Sequence, residues 1–322
     1  METCTDASPK SLPKHDSLTV PRQARGFYCI DLWDTPKLIE KQNTKRMSRR
    51  TSAIAAALSL LALGSPLITA CANPLANNSF NNGVDKYEQG DYQGAIDDWS
   101  KAIEVNPQEV DAYYNRGIAK DKLGDHQGAI ADYTKVIEIN PEYASAYNNR
   151  GYAKDEAGDY QGAIADYLKA IEIDPQHSGA YNNLGSAKYN SGDLQGAVAD
   201  YAKSINIDPQ NALAYNNRGK LKSDLGDLQG GFADLSKAIE IDPEYATAYT
   251  NLGINKGMSK DYQGAISDFS KSLEIDPKYG GAYLNRGITR ELAKDLQGAC
   301  DDWRKAADLG MEIAAEWVRE QC

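Results

Sequence analysis

Histidine is nearly missing from this chain: three in 322 residues, His15, His126 and His177. No set of histidine, cysteine and carboxylate side chains stands at metal-ligand spacing. No phosphate-cradling glycine loop and no nucleophile motif occurs either. The sequence therefore argues against an enzyme and calls for no metal or cofactor. Phenylalanine is also scarce, at four. An excess of basic residues is lacking: formal net charge is −11, and it is unevenly placed. Residues 1–71 hold 10 Lys/Arg and 6 Asp/Glu, leaving 25 and 40 for the remainder, a net −15. Such an acidic body repels nucleic-acid phosphates, which excludes general RNA or DNA binding. Its plain meaning is a solvated surface.

Long apolar runs are missing except one. From Thr51 to Val84 there is no charged residue, and "AIAAALSLLALG" (53–64) follows "MSRR" (47–50). A basic start, a short apolar run and small residues beyond it are the marks of a secretory signal peptide over 47–71. Ile68-Thr69-Ala70-Cys71 resembles a bacterial lipobox, which would place a lipid on Cys71 and the protein on the periplasmic side of a bacterial envelope membrane. Three alternatives stay open: cleavage after Ala72 to release a soluble protein, a fragmentary twin-arginine signal at Ser48-Arg49-Arg50, and a poor membrane helix interrupted by Gly64, Ser65 and Pro66. Residues 1–46 show no periodicity and carry four scattered prolines. They read as an unstructured leader, with translation expected to start at Met47.

What the chain has in plenty is itself. "DYQGAI" stands at 91–96, 159–164 and 261–266, with near-copies from Asp125, Asp193, Asp227 and Asp295, always 34 residues apart. Seven copies begin at Ala76, Val110, Ala144, Ser178, Ala212, Ala246 and Gly280 and fill 76–309. Each reads as two helices. Gly-Asp separates them in the first five copies: glycine ends the first helix in the left-handed conformation, and aspartate caps the second. Lys260 and Lys294 replace that glycine, so helix ends of higher energy are expected there. Asn-Pro or Asp-Pro stops the second helix in the first six copies. In the third copy Ala163, Ile164, Tyr167, Ala170 and Ile171 are helically spaced and face Tyr147, Gly151 and Ala153. A helix pair cannot bury such a face alone and needs a neighbour. Residues 311–322 carry one apolar stripe, Ile313, Ala314, Trp317 and Val318, suited to a capping helix.

This pattern resembles the tetratricopeptide repeat family in its bacterial form, through Tyr147, Gly151, Ala163, Tyr167, Ala170 and Pro175 and their counterparts from Ala76 to about Met311. Two regular departures are a lysine or arginine at Lys86, Lys120, Lys154, Lys188, Lys222, Lys256 and Arg290, and a glycine from Gly94 through Gly298. The resemblance implies an all-α, right-handed superhelical solenoid of seven helix-turn-helix repeats. It also implies that positions 2, 5, 6, 9, 12 and 13 of each copy line a concave groove.

Position 6 is always asparagine: Asn81, Asn115, Asn149, Asn183, Asn217, Asn251 and Asn285. A carboxamide can match both halves of a peptide bond, so this ladder is expected to hold an extended client chain. The alternative is that the amides bond only their own array. Tyr114, Ile118, Tyr152 and Lys220 are further groove candidates. Ile254, Met258, Leu284, Ile288 and Leu292 are expected to form an apolar patch for client side chains. Position 5 has no lysine and Lys220 is the one basic residue at position 9, which argues against the two-carboxylate clamp of chaperone-binding members.

Cys300 and Cys322 stand ten and twelve residues from the turn near Gly310, at similar height on antiparallel helices, and are expected to form a disulfide. His126 and His177 replace tyrosine or leucine of other copies and read as structural. Asp98, Asp132, Asp166, Asp200, Asp234, Asp268 and Asp302 each precede a lysine by three and are expected to make surface ion pairs. The expected function is a monomeric or weakly self-associating scaffold that binds protein or peptide clients during assembly or maintenance of envelope complexes. A soluble intracellular adaptor and a self-stacking structural protein are the alternatives.

Overall fold

The computed structural model describes residues 74–322. The leader, the signal segment and Cys71 lie outside the described residues. Fifteen helices and no strand make up this part. In chain order they are α1 (Pro74–Glu88), α2 (Tyr92–Val105), α3 (Val110–Lys122), α4 (His126–Ile139), α5 (Ala144–Glu156), α6 (Tyr160–Ile173), α7 (Ser178–Asn190), α8 (Leu194–Ile207), α9 (Ala212–Asp224), α10 (Leu228–Ile241), α11 (Ala246–Met258), α12 (Tyr262–Ile275), α13 (Gly280–Leu292), α14 (Leu296–Asp308) and α15 (Glu312–Gln321).

Local chemistry sets the helix ends. Each second helix starts at an aspartate whose carboxylate accepts the N–H of the glycine three residues on, at 2.9 Å for Asp91 and Gly94. That carboxylate lies over the glycine's Cα, where a Cβ would collide with it, which explains glycine in place of an acidic residue here. The first helices end on left-handed residues. Gly90, Gly124, Gly158, Gly192 and Gly226 have φ between 79° and 88°, and Lys260 and Lys294 adopt 66° and 69°.

Within six of the seven pairs the helices approach closely because glycine on one faces an aromatic ring on the other, and in the fifth Gly219 faces Leu235. A Cβ on Gly117 would stand 2.7 Å from the Tyr133 ring, and the same relation joins Gly151 to Tyr167, Gly253 to Phe269 and Gly287 to Trp303. Those rings are fully buried. Tyr167 thus fills the centre of the third pair. Tyr147, on the facing helix, is half-buried, with the Arg150 guanidinium 5.4 Å above its ring.

A second clamp, built on arginine, crosses four of the seven pairs and differs from the surface pairs expected on the second helices. Arg116 grips Asp132 with two bonds, Nε to Oδ2 at 2.9 Å and Nη2 to Oδ1 at 2.6 Å, and Lys120 adds a third at 2.8 Å. Arg150 and Lys154 hold Asp166, Arg218 and Lys222 hold Asp234, and Arg286 and Arg290 hold Asp302 in the same way. Of the seven expected aspartate–lysine pairs three residues apart, only Asp98–Lys101 forms among the described residues. The others fail because these aspartates point into the pair: Asp132 is only 3 % exposed.

Successive pairs stack side by side. First helices touch the next first helices (α3 with α5, α5 with α7, α7 with α9, α9 with α11, α11 with α13), so they form the inner layer of a superhelical solenoid and the second helices the outer one. Helix α15 packs on α14 where another first helix would stand. Its Trp317 meets Trp303 edge-on at 5.4 Å, and Cys322 is joined to Cys300 by a disulfide with Cα atoms 5.7 Å apart. Leu284 and Ile288 belong to this buried cluster. Ile254 is buried against Ala265 and Phe269. The apolar client patch expected there is therefore not a surface: the C-terminal helix covers two of its members, the second helix of its own pair covers a third, and only Met258 and Leu292 remain exposed.

Candidate functional site

The inner layer carries a continuous line of carboxamides. Asn251 Nδ2 donates to Asn216 Oδ1 (2.9 Å), Asn216 Nδ2 to Asn217 Oδ1 (3.2 Å), Asn217 Nδ2 to Asn182 Oδ1 (3.2 Å) and Asn182 Nδ2 to Asn183 Oδ1 (3.3 Å). Asn183 Nδ2 then donates to Asn148 Oδ1 (3.0 Å), Asn148 Nδ2 to Asn149 Oδ1 (3.1 Å) and Asn149 Nδ2 to the Tyr114 hydroxyl (3.0 Å). The bonds run one way along α11, α9, α7, α5 and α3, so their dipoles reinforce one another. An amide has two N–H groups and two lone pairs. Each interior member of this relay spends one of each on its neighbours.

The amides bond their own array, the alternative reading of the sequence, and they do so along an open cleft. Tyr114, Asn148, Asn149, Asn182 and Asn183 line a cleft of about 410 Å³ that spans α3, α5, α7 and α9. That size is within the roughly 300–1,000 Å³ usual for ligand clefts. Its far wall is made by the loops that carry Asp174, His177, Asp208 and Asn211. His177 Nδ1 accepts the Ala180 N–H at 3.1 Å and Asn211 Oδ1 accepts the Ala214 N–H at 3.1 Å, so both cap the helices that follow them.

The remaining candidates are scattered. Asn217 and Asn251 continue the relay beyond the cleft. Asn81 is exposed near the N-terminal end, and Asn115 is buried. Asn285 is 1 % exposed and its amide donates back to the Gly281 carbonyl at 2.9 Å. Ile118 and Tyr152 are half-buried, Ile118 packing on the Tyr133 cluster. The Lys220 ammonium sits 5.0 Å over the Tyr189 ring. Asn148, Asn182 and Asn216 stand at groove position 5, but the sequence did not single them out as binding residues. The signal for them was the repeated Asn-Asn pair, which gives each repeat one amide for its predecessor and one for its successor.

Two carboxylates near the other ends of these helices have unusual acidity. Asp121 accepts the Tyr133 hydroxyl at 3.0 Å and lies 3.2 Å from His126 Nδ1. Burial pushes it up to about 6 against the pull of those partners. Burial, with Glu156 beside it, also lifts Asp155 to about 6, and among the described residues no group bonds its Oδ1. No group of three histidine, cysteine or carboxylate side chains among the described residues is placed to hold a metal.

Compared with curated proteins, the chain has no match. It is similar in structure to a tetratricopeptide repeat protein of Parabacteroides merdae, at 19 % identity and TM-score 0.61, over 77 % of this chain and 98 % of that one. It is similar also to pilF of Pseudomonas aeruginosa, at 16 % identity and TM-score 0.57, over 66 % and 97 %. A third is yeast Tom70, at 19 % identity and TM-score 0.55, over 76 % of this chain and 53 % of that one. At these identities the likeness is one of fold. Sequence profiles described as TPR repeat match 83–124 and 185–226, and profiles described as tetratricopeptide repeat match 110–143, 144–177, 166–199 and 212–245. Together they run without a gap over 83–245, half of the chain, and the units at 110–143, 144–177 and 212–245 each coincide with one stacked helix pair. The chain belongs to the tetratricopeptide repeat family, whose fold serves as a scaffold for protein–protein interaction.

Proposed function

We propose that this protein is a non-catalytic scaffold that holds extended segments of client proteins along its inner layer, during assembly or maintenance of cell-envelope complexes. The amide relay carries the reading. The half-buried Asn149, Asn183 and Asn217 each have one N–H and one lone pair beyond their relay bonds, the complement of a peptide unit, whatever side chains the client has. Relay bonds also fix the amides before a client arrives, which lowers the entropic cost of binding. A photo-crosslinking residue, p-benzoylphenylalanine, at Ser145 in the cleft should capture clients, and the same residue at the exposed outer Ala165 should not. Capture from Ala165 alone would place recognition on the outer layer and end this reading.

Location in the envelope rests on the basic and apolar segment at 47–71 with Cys71 as the lipid acceptor. The Cys300–Cys322 bond supports it, since such bonds persist in oxidising compartments. The parent should sediment with membranes and need detergent for release, whereas Cys71→Ser should not. A parent found wholly in the soluble cytoplasmic fraction would refute the anchor.

A further inference from the structure

The cleft has a sign. Among its lining residues there is no lysine and no arginine, but there are two aspartates, Asp174 and Asp208. Each is held by a loop N–H, Asp174 Oδ1 by Gln176 and Asp208 Oδ1 by Gln210, both at 3.0 Å. Neither has a cationic partner among the described residues. That sets them apart from the aspartates inside the helix pairs, from Asp98 to Asp302, all of which meet a lysine or arginine.

An anion has little to hold it here. The N-terminal N–H groups of α7 and α9, which would otherwise favour negative charge, are partly occupied by the caps from His177 and Asn211. The same two residues make the space. At this loop position neighbouring copies place Tyr143, Tyr245 and Tyr279, and the smaller His177 and Asn211 stand here instead. Gly179 withdraws the wall further: a Cβ there would meet only the His177 ring, no closer than 3.4 Å.

We propose that this cleft takes the ammonium or guanidinium of a lysine or arginine side chain from an extended client segment, between the Asp174 and Asp208 carboxylates. This rests on the groove reading above and gives it a chemical preference. The carboxylates supply charge-assisted acceptors, and the amide oxygens of the cleft supply neutral ones.

The test is a displayed library of random twelve-residue peptides, selected on the full chain and resynthesised for calorimetric titration. Selected peptides should share one lysine or arginine in a fixed register. Norleucine or citrulline at that place should weaken binding about tenfold. Asp174→Asn with Asp208→Asn should weaken it by a similar factor for the basic peptide and leave its norleucine or citrulline form unaffected. Asparagine Oδ1 can still accept the loop N–H, and unchanged circular dichroism checks the fold. Gly179→Phe, which fills the cleft without entering the core, should abolish binding of either peptide. Peptides with no basic residue in common, yet still blocked by Gly179→Phe, would overturn the charge preference and leave the groove reading standing. Peptides that ignore Gly179→Phe, or no selected peptide at all, would overturn both.

Discussion

Arg150 and Asp166 stand sixteen residues apart on different helices and meet through two parallel bonds, of 2.8 and 2.7 Å. Lys154 joins the same carboxylate at 2.8 Å, and Asp166 is only 5 % exposed. Removing the carboxylate leaves two cations facing a dry interface. Asp166→Ala is expected to lower stability by about 3 kcal/mol, read as a fall in the urea midpoint. Arg150→Leu should cost less. The fourth repeat already has Leu184 at that place, packed against Tyr167, and its Asp200 keeps Lys188 at 2.6 Å. Equal losses in the two variants would contradict this account of the clamp.

Lys260 and Lys294 hold the left-handed turn that glycine holds in five other copies. A side chain in that conformation is strained by roughly 1–2 kcal/mol, part of which glycine gives back through its freer unfolded chain. Lys260→Gly and Lys294→Gly should each stabilise the protein by about 1 kcal/mol, seen as a rise in Tm. A fall would mean that contacts of the lysine side chains outweigh the strain.

Asp155 titrates near 6 in the fold against an ordinary 3.8. Between those values the folded chain holds a proton that the unfolded chain has lost. Stability therefore falls as pH rises from about 4 to about 6, and the penalty stays above that. Asp155→Asn should raise Tm by about 2–4 °C at pH 7.5, the shift expected for about 1 kcal/mol after solvent screening. At pH 4 it should change Tm little. A shift of the same size at both pH values would assign the effect to packing rather than charge.

Reducing the Cys300–Cys322 bond opens a loop with a sequence separation of 22 residues. In the chain-entropy treatment this costs roughly 3 kcal/mol. Loss should concentrate in α15: its amide protons should exchange faster after reduction, and those of α5 to α8 should not. Uniform acceleration would show that the end cap governs the whole array.

Much of this molecule could be read before any coordinates. The 34-residue spacing of Asp-x-Gln-Gly and the Asn-Pro or Asp-Pro stops fix helix type, length and order, because caps and breakers act locally. The client patch at Ile254, Leu284 and Ile288 was misjudged for the opposite reason. What covers an apolar residue is decided by another segment, here α14 and α15 for the last two, and repeat position alone does not report it. The aspartate clamp was misjudged likewise, since Asp132 has a lysine three residues ahead and an arginine sixteen behind. Proximity in sequence favours the first, but the angle between paired helices delivers the second. For the asparagines, chemistry narrowed the options to self-bonding or client-bonding. Geometry shows the first: one hydrogen and one lone pair of each interior amide go to the array.

The relay has an evolutionary corollary. In each unit from the third to the fifth, one carboxamide donates to its neighbour in the same unit and that neighbour donates to the unit before. Duplicating or deleting one such 34-residue module in frame would therefore orphan no amide. The line would simply grow or shorten by two links. The length of the inner layer becomes a quantity that unequal crossing-over adjusts in whole steps, with the rest of the architecture undisturbed.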